Sequence, residues 1–553
     1  MSTNLSKIRR EKMLDTINEI KKNVIDEELL NNLSLIENEL TKKKYGLIWE
    51  EHEERVDKEL ETQIPTFSEE KNKQIVSKID NKYNFILEGD NLHGLYLLEK
   101  THKNKIDLIY IDPPYNTGNR DFVYDDKMID NVDEFKHSKW LSFMNRRLQL
   151  AKKLLSDKGL IFISIDDNEI APLKMLCNDI FGDNNFKGQI VRRTGTPTGQ
   201  GNDIISNEVD YMLVYAKTTN AIFNGLPFTD EDSKIYNQED NYGKYLNRPL
   251  RKTGGEDRRE DRPSMYYGIE APDGSVIYPI APKGYESRWR CSEKTYFDLK
   301  NANRIEWKKQ NNEWKVYQKF YLEGRLKQPS NLWYDIEGNK KATITLKNIL
   351  SENNFDFPKP VELIKQIIRI ASNKESIILD FFAGSGTTGQ AVLEMNQEDG
   401  GNRKFILCTN NENNICENIT YQRIKTIITG IRNDNTKYSD GICENLKYYK
   451  CKYIPRINTD KENLSQNLMV NIKNLIQLEN GIEIDDKVVK VILSEEEIDK
   501  FTTNDKELNE CEKLYISSDI LLTSKQSKIF NDYNIELFVI PGYYFEDEIR
   551  EVA

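Results

Sequence analysis

From about residue 81 the chain alternates short, continuous apolar runs with stretches of helical period. Asn84-Phe85-Ile86-Leu87-Glu88 is a short strand ending at Gly89-Asp90-Asn91, and a helix follows over Leu92–Lys100. Lys105–Ile111 is a β-rich run stopped by Asp112-Pro113-Pro114-Tyr115. Asp133–Leu155 then puts Trp140, Leu141, Met144, Leu148 and Leu154 on one helical side, and Gly159–Ile165 is another buried strand. The same texture returns as a helix Pro360–Ala371, a strand Ser376–Asp380, a glycine loop, a helix Thr387–Met395 and a strand Arg403–Cys408. Strands without polar alternation, separated by helices, predict a parallel sheet covered on both faces.

Three regions depart from that rhythm. Residues 1–80 read as polar and helical, with an amphipathic helix over Lys21–Leu40 and a break at Pro65. Residues 191–350 are irregular, with Gly, Pro and Asn clusters and short aromatic strands such as Tyr211–Tyr215. Residues 456–553 are mixed and acidic, without a motif of residue chemistry. The expected organisation is an α/β domain split into 81–190 and 351–455, an insertion at 191–350, and flanking regions at 1–80 and 456–553.

Composition narrows the classes. The 553 residues carry net charge −12, with 38% hydrophobic and 31% charged residues, which suits globular cores rather than a disordered chain. No apolar run reaches the roughly 18 residues of a membrane span. The seven cysteines form no CxxC pair and the four histidines no HExxH spacing, so no metal site is expected. Free thiols and the absence of a signal-peptide pattern give a cytoplasmic expectation. Charge is unevenly spread: residues 190–350 hold 26 Lys+Arg against 22 Asp+Glu, and 21 of the 55 aromatics. Basic side chains interleaved with aromatics suit a surface that tracks phosphates and bases; a tyrosine-rich β core is the competing reading.

Two turns carry the chemistry. Asp380-Phe381-Phe382-Ala383-Gly384-Ser385-Gly386-Thr387 joins a strand to a helix, where glycines let backbone N–H groups approach a ligand at a helix N-terminus. It lacks the lysine of a P-loop, while Gly384, Gly386 and Gly389 satisfy GxGxxG literally, so a nicotinamide dinucleotide competes on this segment alone. The second turn favours another ligand. Two prolines after a strand-terminal Asp112 hold its carboxylate at the carboxyl end of the sheet, leave the Pro113 carbonyl as an acceptor, and are followed by the ring of Tyr115. Two acceptors and a ring suit a planar base bearing an exocyclic amine.

Asp112-Pro113-Pro114-Tyr115 together with Phe382-Ala383-Gly384-Ser385-Gly386 resembles the paired signatures of S-adenosylmethionine-dependent DNA amino-methyltransferases. The order, catalytic motif first, resembles the permuted β class. Gly89-Asp90-Asn91 is similar to the segment of that class that contacts the cofactor adenine, and Phe357-Pro358-Lys359-Pro360 to the motif before its glycine-loop strand. Arg248–Arg290 and Ile540–Phe545 resemble the Mod (modification) subunits of type III restriction–modification systems.

The resemblance implies a permuted Rossmann-like methyltransferase core with an inserted target-recognition domain. It implies adenine N6 as the methyl acceptor in double-stranded DNA, with the base flipped out of the helix. Asp112, Pro113, Pro114 and Tyr115 would be catalytic. Asp90, Asp112, Lys359, Asp380, Phe382, Ala383, Gly384, Ser385, Gly386 and Thr387 would hold S-adenosylmethionine. Arg258, Arg259, Arg262, Arg288 and Arg290 would contact DNA. Glu412 or Asn410 is left open as the ribose contact. A homodimer and a restriction (nuclease–translocase) partner are expected, because the chain itself shows neither a Walker A nor a nuclease motif. The alternatives are a stand-alone adenine methyltransferase, a cytosine-N4 enzyme and a catalytically silent specificity subunit.

Overall fold

A computed structural model describes residues 5–24, 26–41, 49–78, 81–124, 127–130, 133–195, 207–221, 223–336, 338–351, 355–455, 461–517 and 520–540. The motif residues 541–545 lie outside this set. The chain forms two compact units, one made of 1–223 with 330–553 and the other of 224–329.

The larger unit is organised by one ten-stranded sheet. Its strands are β1 Gln63–Glu69, β2 Tyr83–Glu88, β3 Ile106–Ile111, β4 Leu155–Ile165, β5 Phe186–Arg193, β6 Val209–Ala216, β7 Leu332–Trp333, β8 Ile377–Asp380, β9 Lys404–Thr409 and β10 Asn445–Pro455. Their order across the sheet is β1-β10-β2-β9-β8-β3-β4-β6-β5-β7. All run parallel except β1 and β6, which reverse against their neighbours. The central strands are buried almost throughout, with Leu87, Ile109, Ile163 and Leu379 fully inaccessible. Helices Asn91–His102, Lys136–Leu154, Ile170–Phe181 and Lys461–Asn480 form one packed group, and Asn339–Leu350, Val361–Ala371, Thr387–Asp399 and Gln422–Thr429 another. Both faces are therefore covered, as the unbroken apolar runs require.

Four expectations are revised. Residues 63–69 are a strand, not part of a helical region ending at Pro65: Ile64 and Phe67 are buried, and β1 is an edge strand where proline's missing N–H costs no ladder bond. The helix expected over 21–40 is two helices, Leu5–Asn23 and Glu27–Thr41, because Asp26 Oδ1 accepts the N–H groups of Glu28 and Leu29 and starts a new helix. The second compact unit is 224–329, narrower than 191–350: β5, β6 and β7 pair into the main sheet, with β6 lying between β4 and β5. Residues 456–553 add a long helix whose Ile472, Leu475 and Ile476 enter the main core, followed by a three-stranded parallel sheet, Val489–Ile492, Lys513–Ile516 and Glu536–Val539.

The smaller unit holds a four-stranded antiparallel sheet of Gln238–Asp240, Gly243–Pro249, Glu313–Tyr321 and Ile305–Gln310. Its core is Leu250, Ile269, Trp289, Tyr296 and Val316. Among the described residues no helix is long and apolar enough to cross a membrane.

Candidate active site

β3 and β8 lie side by side and parallel, so both deliver their following residues to the same edge of the sheet. After β3, Pro113 and Pro114 offer no amide donor and the ladder stops at Asp112. Trp140 Nε1 donates to the Pro114 carbonyl at 2.7 Å, which fixes the turn against the helix Lys136–Leu154. After β8, Asp380 organises the glycine loop: Oδ1 accepts the Phe382 N–H at 3.0 Å and Oδ2 the Thr388 hydroxyl at 2.5 Å. Gly384 (φ +46°) and Gly386 (φ +76°) adopt left-handed backbone that favours glycine, and the helix Thr387–Asp399 starts directly after them.

The two turns enclose a cavity of about 650 Å³. Asp112, Pro113, Pro114, Tyr115, Lys359, Asp380, Phe382, Ala383, Gly384, Ser385 and Thr387 all line it, so eleven residues expected at the site meet there. Asp210 and Tyr110, not anticipated from sequence, also line it. Gly386 serves as the N-cap of the loop's helix, its N–H donating to the Ala383 carbonyl at 2.7 Å.

Lys359, expected near the cofactor, lines the cavity and also bonds the Asp-Pro-Pro-Tyr turn. Its ammonium donates to Asp112 Oδ1 and Oδ2, both at 2.8 Å, and to Tyr115 Oη at 2.9 Å. Tyr115 in turn donates to Asp112 Oδ1 at 3.0 Å. Burial and the Asp112 charge push the Tyr115 phenol well above its usual value, so it stays a donor. Asp380 is almost fully buried, and burial raises its carboxyl to about 7 against the two hydrogen bonds it accepts.

A second cavity of about 470 Å³ shares Pro114 and Phe382 with the first. Asp90, Asn91, Phe122, Phe143, Phe381, Thr409, Asn410, Glu412 and Tyr453 line it, with Glu54, Arg55 and Glu59 from the N-terminal region. Asp90 caps the helix Asn91–His102, accepting the Leu92 N–H at 2.7 Å. Both open ribose candidates, Asn410 and Glu412, stand here after β9. Aromatic walls with carboxylates suit a nucleoside: rings pack a base and acids accept sugar hydroxyls. Among the lining residues four carboxylates face Arg55, and even with the buried Arg147 beside Glu54 and Asp90 the acids outnumber the cations, which is unfavourable for a pyrophosphate. That weighs against a nicotinamide dinucleotide and fits a cofactor without phosphates, such as S-adenosylmethionine.

Two buried arginines support the cavities, and periodicity could not single them out because each sits on an ordinary helix face. Arg147 is fully buried and bonds Glu54 through both terminal nitrogens (2.7 and 3.1 Å), Asn91 Oδ1 at 2.5 Å, and lies 3.4 Å from Asp90. Its guanidinium also stacks on Phe143 at 3.6 Å. Arg423 donates to the Ser385 carbonyl and hydroxyl and to Thr387 Oγ1, at 3.2, 3.0 and 2.7 Å, and so braces the glycine loop from behind.

The expected DNA contacts separate within the smaller unit. Arg258, Arg259 and Arg262 are exposed; Arg259 pairs with Glu286 at 2.8 Å and lies over Tyr266. Arg288 is instead 5% exposed, with Nε on the Glu256 carbonyl at 2.5 Å, so its geometry is that of an internal brace rather than a surface contact. Arg290 is half-buried on the Pro249 carbonyl and Thr253.

A family model described as DNA methylase, the N6/N4 methyltransferases, matches residues 106–422. The chain is 33% identical over 407 residues to the type III restriction–modification enzyme StyLTI Mod subunit of Salmonella typhimurium, a match spanning 67% of this chain and 60% of that protein. It is 33% identical to the type III EcoPI Mod subunit of Escherichia phage P1, over 70% of this chain and 67% of the relative. It is 36% identical to the type II methyltransferase M.KpnI of Klebsiella pneumoniae, over 68% of this chain and 93% of the relative.

Proposed function

The chain belongs to the DNA methylase family, and on that premise we propose that it transfers a methyl group from S-adenosylmethionine to N6 of a flipped adenine in double-stranded DNA, as the modification and recognition chain of a type III restriction–modification system. The carrying observation is the shared cavity, in which Asp112 and the glycine loop stand on adjacent parallel strands. S-adenosylmethionine supplies an electrophilic methyl on a sulfonium. In this reading Phe382, Asp90 and Glu412, which line the two cavities, would hold its nucleoside, and the loop Ala383–Thr387 would hold its amino-acid end.

The chain's own part is positioning. Adenine N6 is a weak nucleophile because its lone pair is delocalised into the ring. Asp112 and the Pro113 carbonyl would accept its two hydrogens and favour a pyramidal nitrogen. As the N–C bond forms and the methyl's bond to sulfur breaks, Asp112 offsets the positive charge on nitrogen, which then loses one hydrogen as a proton to solvent. Tyr115 packs against the base. The exposed arginines at 258–262 supply phosphate and groove contacts from the target-recognition unit. A homodimer and a separate restriction subunit complete the proposal.

A stand-alone modification enzyme is the second reading, since the type II relative is 36% identical over 68% of this chain, as large a share as the Salmonella Mod subunit matches. Single-molecule sequencing of DNA from a methylation-free host expressing this chain separates the two. N6-methyladenine on one strand of an asymmetric motif is the expected result; a palindromic motif marked on both strands supports the type II reading, and no modified base overturns both.

A further inference from the structure

Lys359 uses all three ammonium donors on the catalytic turn: two on Asp112 and one on Tyr115. It is only 9% exposed, and its backbone is fixed, the Lys359 carbonyl accepting from Thr387 Oγ1 at 3.2 Å. The Asp112 carboxylate, which with the Pro113 carbonyl would accept the hydrogens of an adenine amine, is thus already engaged at both oxygens by a nitrogen carrying hydrogens. An ammonium 2.8 Å from each oxygen stands where an exocyclic amine donating to that carboxylate would stand. The two donors compete for one acceptor. A second acceptor is at hand: Asp210 on β6 lines the same cavity, and the Lys359 charge acts on it. Burial raises the Asp210 carboxyl, so an approaching ammonium would be welcome there.

Resting on the methyltransferase reading above, the geometry points to Lys359 as a positioning residue that occupies the amine's place at Asp112 and Tyr115 before the base enters, and moves to Asp210 when the amine displaces it. The catalytic carboxylate and phenol are held oriented while the cavity lacks a base, and the fixed charge never stands unpaired in a water-poor site. A base without an exocyclic amine leaves the ammonium in place on Asp112, whereas adenine must displace it, so the competition lowers the preference for adenine over an amine-free purine.

The test uses the full chain and duplexes carrying the motif found by sequencing, with either adenine or purine (hydrogen in place of the amine) at the target position. Dissociation constants are measured with S-adenosylhomocysteine, and turnover with S-adenosylmethionine. In Lys359→Met the amine meets no competitor, so preference for the adenine duplex over the purine duplex should rise about tenfold while kcat falls about tenfold or more. Asp210→Asn removes the receiving charge, so that preference should fall several-fold below wild type; this variant decides if Lys359→Met does not fold. A lysine that only props the fold would weaken both duplexes equally, and an unmoved ratio in the folded variants overturns the assignment. Wild-type chain that transfers no methyl group overturns the underlying reading, and this inference with it.

Discussion

Above about pH 7, Asp380→Asn should make the larger unit more stable than the wild type. Asp380 is 3% exposed, and burial lifts its carboxyl from 3.8 to about 7. The folded state therefore binds this proton more tightly than the unfolded chain does. Stability is fully present below about pH 4, where both states are protonated, and is lost as pH rises towards the folded value. Three units at 1.36 kcal/mol each make that loss roughly 4 kcal/mol. Asparagine keeps the geometry: its oxygen can accept the Phe382 N–H and its amide can donate to Thr388 Oγ1, the two groups that Asp380 now engages. It cannot ionise, so it escapes the loss. Urea unfolding of both proteins at about pH 4, 5, 6, 7 and 8 should give a difference well under about 1 kcal/mol at the acid end, roughly 1.6 kcal/mol near pH 5, and up to roughly 4 kcal/mol at the basic end. A variant less stable than wild type at about pH 8, or a difference independent of pH, would refute the reasoning.

Three further outcomes follow from buried charge and backbone. Arg147→Met should cost about 3–5 kcal/mol in urea unfolding, because it strands Glu54 and Asp90 without their cation; adding Glu54→Gln should recover part of that loss. Arg259→Ala should reduce the salt slope of DNA binding by about one without moving the melting temperature, whereas Arg288→Ala should lower the melting temperature by removing an internal brace. Gly386→Ala should destabilise by about 1–2 kcal/mol, since φ is +76° and the new Cβ would lie 3.2 Å from Thr420 Cγ2, as calorimetry can read.

Buried parallel strands were legible because they are apolar on both faces. The runs 84–88, 105–111, 376–380 and 403–408 correspond to β2, β3, β8 and β9 within a residue, and the proline and glycine turns that end β3 and β8 named most of the cavity wall in advance. What stayed hidden depends on distant partners. β6 read as part of an insertion because Gly, Pro and Asn clusters precede it, and only its pairing with β4 and β5 draws it into the main sheet. β1 was masked by Pro65, whose tolerance depends on an edge position that only topology reveals. Arg147 and Arg423 carry no signal in the sequence; their burial depends on acceptors distant along the chain, such as Asn91 and Gln390. The contact between Lys359 and Asp112 was not legible, since sequence gives no distance between two residues 247 positions apart.

The most direct measurement of the central claim is mass spectrometry of nucleosides from unmethylated DNA incubated with purified chain and S-adenosylmethionine, beside the Asp112→Ala variant. The expected result is N6-methyldeoxyadenosine with the wild type, none with Asp112→Ala, and similar DNA binding by both. N4-methyldeoxycytidine in its place, no methylated nucleoside, or full activity in Asp112→Ala would contradict the account.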